Sequence, residues 1–351
     1  MAEARDSNGS TVGSNEPLLR TVDLTRHFRL GGMLEAKQVL HAVDDFNFVI
    51  QEREIVALVG ESGSGKSTVA RLLARVYPPT RGEIYYRGRP LHRLRSRRAL
   101  FWYRGEVAMV FQDPFSAFNP VHRISHGVMR NLILHRPELS RVERQHEAER
   151  VCESVGLGRQ MLTRFPYEMS GGERQRIGFA QALAVRPKLI LADEPVSMLD
   201  VSIRAGVLNM MAGLRDREGV SILYITHDIA SARYVADRII VMYAGHQVEA
   251  GPTETVLADP KHPYTQLLLS AVGDPREKVE SISADTGEPP RVINPDEGCR
   301  FRWRCPRAIE QCAQVTPLLS PLGSVQVACH VAAAGSQDSS TPASTASITK
   351  S

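Results

Sequence analysis

Nowhere in this chain do about eighteen apolar residues run together without a charge, the length a helix needs to cross a bilayer, so any membrane role is expected to come through a partner. The N-terminus sets Glu3, Arg5 and Asp6 among Ser, Gly and Ala where a signal peptide would carry an apolar core, which points to a cytosolic chain. Cysteine is scarce, and four of the five residues are confined between Cys299 and Cys329, so no disulfide framework supports the body of the protein. The net charge of +4 is small for 351 residues and does not argue for a nucleic-acid partner. The densest basic stretch, Arg87 to Arg104, with Arg93, Arg95, Arg97 and Arg98 inside it, is expected to be a solvated helix face. No internal repeat and no sustained heptad pattern is present.

What remains is an ordinary globular composition, 42% hydrophobic and 23% charged. Residues 1 to about 16 and the last twenty or so, rich in Ser, Gly, Ala and Thr, are expected to be disordered. Between them, strand-like segments alternate with helical ones. Glu54 to Gly60, Leu189 to Ala192 and Ser221 to Thr226 are nearly continuous apolar runs of the kind buried on both faces of a parallel sheet. Leu18 to Ile50 alternates in polarity, Gly82 to Gly88 reads as a further strand, and Arg238 to Gly245 begins a hairpin. A mainly helical region spans about Ile124 to Ala184. The fold class expected is α/β with a mainly parallel sheet.

Gly60-Glu-Ser-Gly-Ser-Gly-Lys-Ser-Thr68 lies between an apolar strand and a helix, the context in which G-x-x-x-x-G-K-[ST] holds phosphates. Glycines let successive N–H groups turn inward, and the helix N-terminus adds its dipole. From this spacing Gly60, Glu61, Ser62, Gly63, Ser64, Gly65, Lys66, Ser67 and Thr68 are nucleotide-site residues, with Lys66 on the β- and γ-phosphates and Ser67 on Mg²⁺. The strand Leu189 to Glu194 brings Asp193 towards the metal and Glu194 towards the attacking water.

Met169-Ser-Gly-Gly-Glu173, between those two elements, resembles the signature sequence of ATP-binding cassette (ABC) ATPases, usually Leu-Ser-Gly-Gly-Gln. A Ser N-cap and two glycines would present a hydroxyl and bare amides at a helix start, the helix itself running from about Arg174. The resemblance implies that Ser170, Gly171, Gly172 and Glu173 close on ATP held by a second subunit. It also implies a glutamine loop at Gln112 touching Mg²⁺, a switch histidine at His227, a D-loop with Ser197 and Asp200, and adenine stacking on Phe28. Met169 and Glu173 depart from the usual residues, but Glu173 suits a helix start through a capping box.

Lys261-His-Pro-Tyr-Thr-Gln-Leu-Leu268 and the cysteines after it resemble the C-terminal region of ATPase subunits of oligopeptide and dipeptide importers, so the likeness runs from about Leu18 to His330. The boundaries implied are an ATPase domain at 17–258, with a helical subdomain near 115–184, an extension at 259–330, and a disordered 331–351. The cysteines Cys299, Cys305, Cys312 and Cys329 are spaced C-x5-C-x6-C-x16-C, without the close pairs of a structural zinc site. A [4Fe–4S] cluster suits that spacing, with zinc, or free thiols or disulfides, as the alternatives. Cys152, on a helix, is expected to be a small core residue.

The importer resemblance implies ATP and Mg²⁺ as ligands and a second ATPase subunit as partner, in a heterodimer or a homodimer. It further implies two membrane permeases, an extracytoplasmic solute-binding protein, and a place at the cytoplasmic face of a bacterial inner membrane. Peptide is the cargo implied, with oligosaccharide, nickel or another small solute as alternatives. Phe115-Ser-Ala-Phe-Asn-Pro120 is the candidate permease contact, and Leu30 to Lys37 resembles an insertion of one of the paired subunits. A soluble ABC ATPase acting on ribosomes or DNA would carry a second cassette or long coiled coils, and neither is here.

Overall fold

The computed structural model describes residues 16–31, 38–113, 118–271 and 292–335. Strands β1 (Leu19–Leu30), β2 (Gln38–Phe46), β3 (Val49–Ile50) and β4 (Ile55–Val59) lead into helix α1 (Lys66–Leu73). Next come β5 (Arg81–Tyr86), β6 (Arg89–Pro90), α2 (Arg97–Glu106) and β7 (Val107–Val110). A helical block follows, with α3 (Ile124–His135), α4 (Arg141–Ser154) and α5 (Gly171–Leu183). Then β8 (Leu189–Asp193), α6 (Val201–Glu218), β9 (Ser221–Thr226), α7 (Ile229–Val235) and the hairpin β10 (Arg238–Tyr243)–β11 (His246–Pro252) alternate. The C-terminal region holds α8 (Thr253–Ala258), α9 (Pro263–Ser270), α10 (Gln311–Gln314), β12 (Ser320–Leu322), β13 (Val325–Val327) and α11 (His330–Gly335).

Strands β7, β8, β9, β4 and β10 lie side by side and parallel, while β11, β13 and β12 extend that sheet antiparallel. Their continuous apolarity has a period-2 explanation. Ile55, Ala57 and Val59 of β4 face one buried cluster with the helical block, whereas Val56 and Leu58 face another with α1 and the antiparallel strands. Alternation therefore persists, but both faces are covered and every position is apolar. The second sheet, in the order β2-β1-β5-β6 with β3 beside β1, is antiparallel throughout.

Within the helical block, α4 starts at a Ser140–Glu143 capping box and buries Glu147, Ala148, Val151 and Cys152. Cys152 is fully buried, as expected of a core residue. Glu147 is buried because Arg150 and Arg186 pair with it. The basic stretch ending at Arg104 is exposed at Arg93, Arg95, Arg97, Arg98 and Arg104, and so is a solvated face.

The C-terminal extension packs on the core of the larger domain: β13 pairs with β11, Glu249 opposite Val327, and Tyr264, Phe301, Val325 and Val327 belong to the main buried cluster. Phe and Val at those positions let it borrow that core. One expectation requires correction: the chain after residue 330 is not wholly irregular, since α11 covers its first residues with alanines, the strongest helix formers. The expected disordered leader before Glu16, the rest of the tail, Gly32 to Lys37, and Phe115, Ser116 and Ala117 lie outside the described residues. No helix among the described residues is long and apolar enough to cross a membrane.

Candidate nucleotide site

Four neighbouring parallel strands end on the same side of the sheet, and within two residues of each end stands a group that carries chemistry. Gly60 follows β4, His227 follows β9, Glu194 follows β8, and Gln112 comes two residues after β7. The carboxyl ends of parallel strands are where such sheets open a crevice. Here a cavity of about 810 Å³ is lined by Glu61, Ser62, Gly63, Gly65, Lys66, Ser67, Thr68, Gln112, Glu194 and His227, with Phe28 and His41 from the antiparallel sheet.

The loop is shaped by its glycines. Gly65 caps α1 at φ 105, and a Cβ there would sit 2.2 Å from the carbonyl oxygen of Ala42. Gly60 passes so close to β10 that a Cβ would lie 2.1 Å from the Met242 carbonyl. Only glycine fits either place. Lys66 donates to the carbonyls of Gly60 at 2.7 Å and Glu61 at 2.8 Å. Burial pushes its ammonium below the ordinary value, against the opposing pull of Glu194, Asp193 and Glu61. Ser64 is fully buried and does not line the cavity.

Ser67 Oγ donates to Asp193 at 3.0 Å. Burial pushes Asp193 up, with the Ser67 hydrogen bond opposing. Ser67 and Gln112 line the cavity, and Asp193 lies buried behind Ser67, outside the lining; hydroxyl, carboxylate and amide are hard oxygen donors, a set that fits Mg²⁺. Glu194 takes the left-handed conformation at φ 47, which a non-glycine residue adopts only when its surroundings hold it there. Three bonds do so: its N–H donates to Ile225, and its carbonyl accepts from the Ser197 N–H and hydroxyl. The side chain accepts from Gln112 Nε2 at 3.0 Å and faces His227 Nδ1 at 3.4 Å. The four expected catalytic side chains, Lys66, Gln112, Glu194 and His227, thus converge.

Other expectations fall differently. Ser170 caps α5, which begins at Gly171, three residues before the expected start. The Glu173 N–H donates to Ser170 Oγ at 3.3 Å, and the Ser170 N–H to the Glu173 carboxylate at 2.8 Å. None of Ser170, Gly171, Gly172 and Glu173 lines the cavity within the one chain. Asp200 caps α6 without a side-chain hydrogen bond. Phe28 reaches the cavity, but the Arg26 guanidinium stands 4.5 Å from its ring centre and covers one face. Glu61 contributes its carbonyl, while its N–H donates to Tyr264 Oη at 2.9 Å and its carboxylate pairs with Arg304. Arg304, Asp44 and His41 escaped the sequence reading, and Tyr264 was marked only as part of the Lys261–Leu268 segment, with no link to the nucleotide. For Arg304 the one signal was an alternation of arginines from Arg300 to Arg304 between two cysteines.

Of the four clustered cysteines, Cys312 is buried and the others half-buried. The Cys299 N–H donates to the Cys312 carbonyl at 2.7 Å. Burial pushes the Cys299 thiol up to about 11. Among the described residues, no three of these thiols lie within 4.8 Å of one another. A zinc tetrahedron with bonds of about 2.3 Å would hold its sulfurs roughly 3.8 Å apart. The four side chains are sulfur donors, of the kind that zinc and iron–sulfur clusters both take.

The fold and the phosphate loop, glutamine, acidic and histidine constellation define an ATPase of the ATP-binding cassette class. Residues 43–197 match the family described as ABC transporter, and residues 248–312 match the oligopeptide/dipeptide transporter C-terminal region. The chain is 40% identical over 340 residues to a probable peptide ABC transporter ATP-binding protein, y4tS, of Sinorhizobium fredii, covering 95% of each. It is 39% identical to the dipeptide transport ATP-binding protein DppF of Escherichia coli, over 90% of this chain and 94% of that one. It is 41% identical to the oligopeptide transport ATP-binding protein OppF of Haemophilus influenzae, over 91% and 98%. Among solved structures, the dimeric post-hydrolysis cassette MJ0796 bound to ADP and Pi matches with a TM-score of 0.60 and 28% identity, over 67% of this chain and 98% of that one. The chain belongs to the family of ABC transporter ATP-binding proteins, and it is an ATPase.

Proposed function

We propose that this chain is the ATP-hydrolysing subunit of an importer that carries di- and oligopeptides across a bacterial inner membrane. The observation that carries the reading is an intact hydrolytic constellation in one chain with a C-terminal region of the oligopeptide/dipeptide type. Residues 17–258 form the ATPase domain, with 115–184 as its helical subdomain, and 259–330 the extension.

In this reading Lys66 and the N–H groups of the loop hold the β- and γ-phosphates, and Phe28 supports the adenine. Ser67, Asp193 and Gln112 hold Mg²⁺, which supplies charge neutralisation at the γ-phosphate when bound. Glu194 takes a proton from the attacking water and His227 contacts the γ-phosphate. Ser170, Gly171, Gly172 and Glu173 close on the nucleotide of a second ATPase subunit, with Ser197 and Asp200 at that interface. Position of the signature outside its own chain's cavity supports closure between subunits. Partners are a second cassette, two permeases and a solute-binding protein. Two clefts, of about 420 and 370 Å³, share Phe118, Asn131 and Gln181 between β7 and the helical block, and they suit a helix of a permease. Cys299, Cys305, Cys312 and Cys329 hold a [4Fe–4S] cluster that ties down the extension.

A strain lacking this chain, supplied with the wild type or with Lys66→Ala, would be given labelled dipeptides and oligopeptides, an oligosaccharide and nickel. Peptide uptake restored by the wild type alone is the expected result. Restoration of sugar or nickel uptake alone overturns the cargo, and restored uptake with Lys66→Ala overturns the ATPase as its motor.

A further inference from the structure

Every polar group of Glu61 is engaged, although this residue opens a loop otherwise rich in glycine. Its carbonyl accepts from Lys66 and its N–H donates to Tyr264 Oη, while its carboxylate receives both guanidinium arms of Arg304, at 2.7 and 3.0 Å. Tyr264 is fully buried, and its helix α9 is capped by His262. Arg304 is only 12% exposed and lies over the Tyr243 ring, 5.7 Å from its centre. The segment from Cys299 to Cys305 makes a second contact with the nucleotide side. Arg300 pairs with Asp44 and donates to the Ala244 carbonyl, and Asp44 also accepts from His27 and from His41, which lines the cavity. Between these arginines Phe301 is buried against Tyr243 and Tyr264.

We propose that Arg304 is a positioning residue for nucleotide binding, acting through Glu61. It anchors the start of the phosphate loop and cancels a carboxylate that would otherwise face an incoming polyphosphate. A bidentate guanidinium–carboxylate pair fixes geometry as well as charge. The turns that aim Arg304 are closed by bonds within the cysteine segment: the Arg302 N–H reaches the Cys299 carbonyl, the Arg304 N–H the Phe301 carbonyl, and the Cys305 N–H the Arg302 carbonyl. The extension therefore takes part in the nucleotide site of its own chain. This inference rests on the loop being the ATP site.

The test is titration of the full chain with Mg²⁺ and a fluorescent ATP analogue, in a Glu194→Gln background that prevents turnover, with melting curves confirming the fold. Arg304→Gln is expected to weaken binding about tenfold or more, since it leaves a half-buried carboxylate unpaired. Steady-state ATPase with Glu194 intact should show the loss in KM, not in kcat. Adding Glu61→Gln to Arg304→Gln removes the stranded charge and should recover most of the affinity, which a purely structural role of Arg304 would not allow. Arg304→Gln binding as tightly as its parent overturns the proposal, as does failure of Glu61→Gln to rescue. If Arg304→Gln does not fold, the double variant is compared with Glu61→Gln alone. Equal affinities support action through Glu61, and a tenfold gap refutes it. A parent chain that binds no nucleotide refutes the ATP site itself, a distinct outcome.

Discussion

Glu194→Gln separates the chemistry of the site from its architecture. The left-handed backbone at Glu194 is held by bonds to main-chain groups and the Ser197 hydroxyl, none of which involves the side chain. Glutamine is nearly isosteric, and its amide oxygen can still accept from Gln112, so at most one side-chain hydrogen bond changes, worth about 1 kcal/mol. Loss of a general base costs roughly 10²- to 10⁴-fold in rate, or about 2.7 to 5.5 kcal/mol at the transition state. The two effects differ enough to be told apart. Phosphate release at saturating Mg-ATP should fall by at least a hundredfold, while the melting temperature stays within a few degrees. ATP affinity should hold or rise, because a carboxylate beside the incoming γ-phosphate has been neutralised. A turnover within tenfold of wild type, in a well-folded variant, would show that the proton goes elsewhere.

Gly65→Ala puts a Cβ at φ 105 and 2.2 Å from the Ala42 carbonyl; about 1–3 kcal/mol of backbone strain plus a clash with main chain should abolish nucleotide binding, as read by calorimetric titration. His262 is held neutral, since burial pushes it down to about 3, and its Nδ1 accepts the Tyr264 N–H that caps α9. An unfolded histidine takes a proton near 6.5 and the folded one refuses it, so its contribution is complete above about pH 6.5 and is lost as pH falls towards 3, by about 1.36 kcal/mol per pH unit. His262→Asn keeps a capping oxygen without titrating and should flatten the acid limb of a melting temperature–pH curve; an unchanged slope contradicts the burial argument. Cys312→Ala should remove iron from anaerobically purified protein together with absorption near roughly 400 nm. Cys152→Ala, in the helical block, should leave both unchanged, and equal iron in the two variants would rule the four-thiol site out as the iron site.

Much of the site was legible because its motifs are local. The loop from Gly60 to Thr68 sits between a strand and a helix contiguous with it, and the Ser170–Glu173 capping box closes over three residues. Apolar runs marked the strands, since both faces of the sheet are covered. The C-terminal region was the harder case. Sequence distance hid that Tyr264 and Arg304 meet Glu61, more than two hundred positions earlier by the separations of 203 and 243. The short strands β12 and β13 carried no signal beside their prolines and glycine, because their pairing with β11 is what makes them strands.

Sequence alone put the chemistry on offer: a phosphate loop, an acid pair and a capped signature segment, each marked by its neighbours in the chain, with a glutamine and a histidine that the family resemblance pointed to. Tertiary structure decided which of these share a cavity, that the signature stays out of it, and that the cysteine-bearing region docks beneath the loop. The physical reason is range. Dihedral preferences and capping bonds act over a few residues, whereas ion pairs and core burial join whatever the folded sheet brings together.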